Sequence, residues 1–254
     1  MLNNYYVNAE HIKFRNDKIF SQTEKVRQKQ IFAPRAKNVM AYVKKAKIHK
    51  NLAVDIGAGY GTFCVELMKY NYFNNIIAVE PSRDLANTCS TRGINTVVDI
   101  FEKTNIQNID LITCFELIEH LYSPKKLLQK CVESLNPKGL LIITTPNIEG
   151  FDLKILGKKS NNILAPNHIN YFNPQSLRIL LENVGLRIVD IATPGKLDVD
   201  IVRQALLSKK TTLKYNEYLK FLLQNNENKI ALNFQKFLMK NNLSSHMWAV
   251  AQKV

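Results

Sequence analysis

The stretch LAVDIGAGYGTFCVELM, Leu52 to Met68, passes from an apolar run through three alternate glycines into an amphipathic segment. The apolar run suits a strand buried on both faces, and TFCVELMKY after it suits a helix. Glycines at the turn allow positive φ and let a ligand approach the backbone closely. In an open α/β sheet a ligand sits at the carboxyl ends of the strands, where the chain reverses direction across the sheet, so a site is expected at this turn.

The spacing narrows the ligand. The dinucleotide fingerprint GxGxxG holds a pyrophosphate at a helix N-terminus. Here Gly57, Gly59 and Gly61 read GxGxG, and Thr62 stands in the place of the third dinucleotide glycine. Asp55, two residues before the first glycine, is a poor neighbour for pyrophosphate and a good one for an amino group or cation. Glu80 lies 23 residues beyond Gly57 and closes the second apolar run, where a carboxylate can accept from both ribose hydroxyls. A ribose with a cationic group and no pyrophosphate points to S-adenosylmethionine.

Outward from this turn, short apolar and amphipathic runs alternate, as in a parallel sheet with crossover helices. NLAVDIG, IIAVEPS, INTVVDI, DLITCFEL and LLIITTPN read as strands one to five, LRIVDIATPG as the sixth and HMWAVAQKV as the last. Ser123 and Pro124 open a helix with Leu127, Leu128, Cys131 and Leu135 on one face and NPKG as its stop. Asn173 and Pro174 repeat the device for a helix facing inward through Leu177, Leu180, Leu181 and Val184. The expected organisation is a basic helical cap over 1–50, a Rossmann-like core over 51–195, a helical insert over 196–243 and the last core strand over 244–254. In the insert one or two helices are expected, the clearer with Ile230, Phe234, Phe237 and Leu238 on one stripe.

The net charge of +14 is uneven: residues 1–50 carry +9, residues 51–195 carry −1 and residues 196–254 carry +6. Basic flanks suit a phosphate-bearing partner, or are a solvated lysine-rich surface. Cys64, Cys89, Cys114 and Cys131 lack paired spacing, which favours structural thiols over a zinc or redox site. The opening MLNNYYVNAEHIK has no signal-peptide core, and no run of about 18 apolar residues occurs, so a soluble, cytoplasmic protein without membrane insertion is expected.

Through VDIGAGYG, AVEPS and CFELIEHLYSP the chain resembles the class I S-adenosylmethionine-dependent methyltransferases, over roughly Asn51 to Gly195. The resemblance implies a seven-stranded, mostly parallel sheet with an antiparallel last strand, and S-adenosylhomocysteine as product. It places Asp55, Gly57 and Gly59 at the amino-acid end of the cofactor and Glu80 at the ribose. Tyr60, Gly61, Thr62, Pro81 and Ser82 flank these positions. It assigns the adenine side to Asp99, where the following IFEKTN departs from the usual spacing and Glu102 can share the role, and puts Phe115 and Glu116 beneath the methionine part. The further stretches IFAPRAKNV, PNHINYFNPQSLRILLENVG and TPGKLDVDIV resemble a branch found in surface-polysaccharide (capsule or lipopolysaccharide) biosynthesis.

Methyl transfer from a sulfonium needs no acid for the leaving group, and alignment can contribute about 7 to 11 kcal/mol. A hydroxyl acceptor also gains from a base, worth about 10² to 10⁴ in rate. His168, among Asn167, Asn170 and Tyr171, is the first candidate base; His120 and Glu119 are the next. Either histidine also reads as a loop tie through backbone hydrogen bonds. Glu116, Glu119, His120 and His168 have metal-ligating chemistry, but their spacing does not demand a metal and none is expected. Tyr5 and Tyr6 are candidates to close over the cofactor. The leading reading is O-methylation of a small, anionic precursor such as a nucleotide-linked sugar or capsule building block. The alternatives are an RNA (tRNA) methyltransferase, a quinone or amine methyltransferase, and a non-catalytic cofactor-binding subunit. The oligomeric state is not legible.

Overall fold

The computed structural model describes residues 21–160, 162–163, 167–208, 217–224 and 228–254. Tyr5 and Tyr6 lie outside them. Helix α1, Ser21–Arg27, passes through one π turn, Gln28–Phe32, into α2, Ala33–Ala46. Ala36, Val39, Met40 and Val43 repeat at helical spacing and form the buried face of α2, which ends where Lys47 turns left-handed. The basic residues fall on the remaining faces, so charge and periodicity agree in making this a one-sided helix.

The sheet strands are β1 (Leu52–Ile56), β2 (Asn75–Val79), β3 (Asn95–Val97), β4 (Ile109–Phe115), β5 (Leu135–Pro146), β6 (Leu186–Ala192) and β7 (His246–Lys253). Their order is β3-β2-β1-β4-β5-β7-β6, a mixed sheet whose last strand is antiparallel, as the motifs imply. β1 pairs in parallel with both β2 and β4, with Asp55 opposite Ala78 on one side and Thr113 on the other. Because sequence order runs outward to β3 on one side of β1 and to β4 on the other, the β1 turn lies at the switch point of the sheet.

The chain divides into two compact units, one comprising the residues up to 115 with 126–142 and 252–254, the other 116–125 with 143–251. In the first, α3 (Thr62–Met68) buries Phe63, Cys64 and Leu67, and α4 (Arg83–Thr91) buries Ala86 and Cys89. Each fully buried large apolar side chain contributes about 1.5 to 3 kcal/mol. Helix α5 (Pro124–Ser134) begins at the expected proline. NPKG, expected as a stop, is instead the start of β5: Lys138 adopts φ +66, and the carbonyls of Leu135 and Lys138 accept from the side chains of Lys253 and Gln252.

In the second unit are α6 (Phe151–Leu156), α7 (Pro174–Glu182), α8 (Asp198–Leu207), α9 (Glu217–Gln224) and α10 (Asn228–Lys240). Asn173 and Ser176 form a reciprocal capping box ahead of Pro174, which fixes the start of α7. The described part of the insert holds three helices, not one or two, and the buried line of α10 is Ala231, Gln235 and Leu238 with Phe234 beside it, while Ile230 and Phe237 face outward. The shift has a polar cause. The Gln235 amide donates to Asp198 at 2.7 Å and to the Gly195 carbonyl, and its oxygen accepts from the Val199 amide, so a glutamine takes a place that hydrophobicity alone gives to its neighbours. Asp198 also accepts from Ser245 N–H at 2.6 Å and from the Ser244 and Ser245 hydroxyls at 2.5 Å each, fixing the start of α8 to the entry of β7.

Candidate active site

The first unit assembles the glycine turn and its acids. Glu80 sits just past β2, buried, and each carboxylate oxygen takes one backbone amide: Oε2 from Gly59 at 2.8 Å and Oε1 from Ser82 at 3.0 Å. The Gly57 amide donates to the Val79 carbonyl at 2.8 Å. One carboxylate thus ties the β1 turn to the β2 turn, and its oxygens retain lone pairs for further donors. Burial raises the Glu80 pKa, opposed by the Ser82 and Gly59 amides.

Asp55 is deeper. Its carboxylate accepts from the Thr113 hydroxyl at 2.6 Å and from the Cys64 thiol at 3.7 Å. Desolvation pushes it up to about 7, against the pull of Thr113, the positive charge of Arg35 and Cys64. A buried carboxyl there ionises most readily with a cation beside it.

Arg35 brings a charge to this region that the sequence reading missed. It lies on α2 with its guanidinium carbon 4.5 Å from the centre of the Phe115 ring, at the end of β4, and Phe115 in turn meets Phe63 edge-on at 4.8 Å. The string IFAPRAKNV contained it, but nothing local says that α2 brings its charge to bear on Asp55.

The glycines divide by function. All three have positive φ, yet a Cβ on Gly61 would lie 2.6 Å from Ile94 Cδ1, whereas one on Gly59 would meet nothing within 4 Å. Gly61 serves the packing of the turn against β3 and α4; Gly59 leaves bare backbone beside open space, as close approach of a ligand requires. Thr62 is buried, and its hydroxyl donates to Glu24 and accepts from Arg92, themselves paired at 2.6 Å. Its side chain therefore secures α1. Tyr60 is half-buried in the turn, and Pro81 and Ser82 lead into α4. Asp99 is half-exposed, its carboxylate accepting from the Ile100 amide at 2.8 Å with Lys103 at 3.8 Å; Glu102 is exposed.

The second unit holds the acceptor-side candidates. Glu116 adopts φ +50; its amide donates to the Thr144 carbonyl and its carboxylate accepts from the Thr144 hydroxyl at 2.7 Å, with His246 Nδ1 at 3.4 Å. Glu119 is buried, with Oε2 accepting from the Thr145 hydroxyl at 2.8 Å and Oε1 3.8 Å from His120 Nε2. Burial, then the neighbouring Glu116, pushes Glu119 up to about 8.

The segment around NHINYF is strapped to this turn. The amides of Ile169 and Asn170 both donate to the Glu119 carbonyl, and the Asn170 side chain donates to the Leu121 carbonyl at 2.6 Å. His120 Nδ1 lies 2.7 Å from the Asn167 carbonyl and His168 Nδ1 lies 2.8 Å from that of Asn162. Carbonyls only accept, so both Nδ1 atoms carry a proton, and in a neutral ring so held Nε2 bears the lone pair. The rings meet edge-on at 4.7 Å, and burial lowers the pKa of His120. The loop-tie reading and the chemical reading of these histidines use different nitrogens of one ring, so they coexist.

A buried acid before a glycine turn, a second acid bridging that turn to β2 and a Rossmann-like sheet define a class of nucleoside-cofactor enzymes. The family model for a methyltransferase domain matches residues 27–191, and the chain belongs to that family, as an enzyme dependent on S-adenosylmethionine. Among curated relatives, the ubiquinone biosynthesis O-methyltransferase of Xanthomonas euvesicatoria pv. vesicatoria is 23% identical over 180 residues, 65% of this chain and 74% of that protein. The enzyme of the same name from Coxiella burnetii (strain Dugway 5J108-111) is 26% identical over 168 residues, 59% of this chain and 71% of that one. A solved methyltransferase dependent on the same cofactor from Archaeoglobus fulgidus shares the fold, with TM-score 0.60 and 19% identity over 93% of this chain and 100% of that one. Another from Clostridium acetobutylicum has TM-score 0.59 and 12% identity, covering 93% and 99%. Among the described residues no helix is long and apolar enough to cross a membrane.

Proposed function

We propose that this methyltransferase acts on a hydroxyl of a small acceptor, with a phenolic ring of the quinone-precursor type as the acceptor class. The Asp55, Gly59 and Glu80 constellation carries the cofactor half of this reading. Asp55, Gly57 and Gly59 receive the ammonium end, Arg35 suits the carboxylate of the same amino-acid part, Glu80 the ribose hydroxyls and Asp99 the adenine side. Tyr60, Phe115 and Glu116 border the methionine part. S-adenosylmethionine supplies, when bound, a methyl carbon made electrophilic by its sulfonium.

The acceptor half rests on the tautomer at His168. With Nδ1–H donated to Asn162, Nε2 is the basic nitrogen and the ring is held in one orientation before any acceptor arrives. His120 and Glu119 lie beside it, the Glu119 carboxyl pushed up to about 8 by burial and then by Glu116. An imidazole takes a proton from a phenol, with a pKa of about 10, more readily than from a sugar hydroxyl, which holds its proton more tightly. That preference and the names of the curated relatives support the phenolic class.

A phosphate-bearing sugar of surface-polysaccharide synthesis is the second reading, favoured by the basic residues of α1 and α2 and by the string IFAPRAKNV. Competition between a catechol-type phenol and nucleotide-linked sugars for one preparation of enzyme separates the two. Methylation confined to the sugar overturns the phenolic class. His168→Ala is expected to lower turnover about 10² to 10⁴-fold with cofactor affinity unchanged; an unchanged rate refutes its role as base.

A further inference from the structure

In the first unit the amino ends of β1, β2 and β3 lie at the edge of the sheet opposite the turn of Asp55 and Glu80, and they carry residues that the cofactor half does not use. A depression of about 340 Å³ there is rimmed by the exposed Asn51, Asn75, Asn95, Gln107 and Asn108, with the half-buried Leu52 and Ile77 as its floor. Small-ligand pockets run from about 300 to 1,000 Å³, so one small group fits. Leu52 pairs with Asn75 and Ile77 with Asn95 in parallel register, which sets these four side chains on one face of the sheet. Among the described residues no charged side chain lines the depression. The side chains of Asn75, Asn95, Gln107 and Asn108 make no hydrogen bond to the described residues, and Asn51 uses only its oxygen, accepting from Asn74 at 3.2 Å. Each carboxamide therefore keeps donors and an acceptor for a ligand, the pairing by which Asn and Gln read the edge of a base.

A second feature adjoins the first. The run KKAKIHK, Lys44 to Lys50, leads directly into Asn51. Its four lysines are exposed, and none has an acidic partner among the described residues. Lys44 and Lys45 complement the carboxyl end of α2, but Lys47, which turns left-handed, and Lys50 lie past its last residue. The run is fixed beside the depression: the Asn74 amide donates to the Lys50 carbonyl at 2.7 Å, the Asn75 amide to that of Asn51 at 2.9 Å and the Tyr72 hydroxyl to that of Ile48 at 3.1 Å. Lys50 Nζ itself lies 5.2 Å from the centre of the Tyr72 ring.

We propose that this edge of the sheet is a nucleotide-binding site separate from the cofactor turn, with a base against the amides and its phosphate on the lysines of the 44–50 run. An uncharged amide rim over an apolar floor suits a flat base that offers donors and acceptors along one edge, and it gives no counter-charge to a phosphate. The lysines supply that charge. A sugar without phosphate leaves the lysines unused and inorganic phosphate leaves the amides unused, so a ligand that carries both groups is what the two features share. A nucleoside phosphate, free or as one residue of a single-stranded RNA, is that ligand. The proposal depends neither on the acceptor class nor on the role of His168.

The test is calorimetric titration of the full chain with AMP, after saturation with S-adenosylhomocysteine so that the cofactor half is occupied. Failure to saturate speaks to the cofactor site and is read before AMP is added. One equivalent of AMP is expected to bind, more weakly as salt rises, with adenosine and inorganic phosphate each weaker by at least about 10-fold. Asn75→Ala combined with Asn95→Ala is expected to weaken AMP by about 10-fold or more. Lys47→Glu combined with Lys50→Glu is expected to bring AMP to the level of adenosine and to leave adenosine unchanged. All four side chains are exposed, and circular dichroism confirms the fold of each variant. Lys236→Glu, at an exposed lysine on α10, leaves the titration unchanged. A short adenylate RNA that binds at least about 10-fold tighter than AMP assigns the site to an RNA strand, and one that binds no tighter assigns it to the free nucleotide. No saturable binding of either AMP or the RNA up to millimolar concentration overturns the proposal. So does binding that either double substitution leaves unchanged: indifference to the amides reduces it to non-specific charge attraction, and indifference to the lysines removes the phosphate.

Discussion

Replacing Glu80 by Ala removes the common acceptor of two backbone amides, Gly59 at 2.8 Å and Ser82 at 3.0 Å, in a position only 6% exposed. Each buried amide left without a partner costs about 1 to 3 kcal/mol, so about 2 to 6 kcal/mol of stability is expected to go. At about 2 to 4 °C per kcal/mol for a chain of this size, the melting temperature falls by roughly 4 to 24 °C. The ligand effect is separate. Two ribose hydroxyls donating to a carboxylate are worth about 1.5 to 3 kcal/mol each, so Kd for S-adenosylhomocysteine rises at least about 10²-fold. Calorimetry below the variant's melting temperature, with circular dichroism confirming the fold, reads the second effect without the first. A folded Glu80→Ala protein that binds the product within about threefold of the parent refutes the assignment of this residue to the ribose.

Asp55 gives a pH signature. Its carboxyl holds a proton up to about 7 in the folded chain against 3.8 ordinarily, so between those values the unfolded state binds fewer protons and stability declines as pH rises. An ammonium group favours the ionised form, so affinity for S-adenosylhomocysteine is expected to increase from pH 5.5 toward about 7 and then level; calorimetry across pH checks it, and Asp55→Asn should abolish the slope. Asp198→Ala orphans the Ser245 amide and removes one of the partners of the Gln235 side chain and of the Ser244 and Ser245 hydroxyls, and is expected to cost about 3 to 5 kcal/mol, visible as a melting temperature lower by about 10 °C. Gly150→Ala would set a Cβ 2.3 Å from Ser245 Cα, a collision with backbone worth at least about 1 to 3 kcal/mol in urea unfolding, whereas Gly59→Ala, with open space around it, should cost stability only about 1 kcal/mol while weakening the cofactor.

The placement of the proposed cofactor residues was legible because it is local: Asp55, the glycines and Glu80 stand at strand ends whose positions follow from apolar runs, and the Asn173–Pro174 start of α7 follows from cap chemistry. Arg35 was not legible, since its approach to Phe115 depends on how α2 lies along the first unit. The trio of Glu119, His120 and His168 was present as residue types, but the backbone carbonyls that fix both tautomers arise only when the NHINYF segment is strapped to the Glu119 turn. In the insert, burial of Gln235 in place of an apolar neighbour follows from Asp198, 37 positions earlier, and no hydrophobic period reports it.

The central proposal is that this methyltransferase transfers the methyl group to an acceptor hydroxyl. Incubation of the full chain with labelled S-adenosylmethionine and a panel of catechol-type phenols, nucleotide-linked sugars and bulk RNA, followed by mass spectrometry of each acceptor, tests it directly. The account predicts label on the oxygen of a phenol, with S-adenosylhomocysteine formed in equal amount and product formation lost in Glu80→Ala. Label on a nitrogen or in RNA, or turnover of the cofactor indifferent to every acceptor, contradicts it.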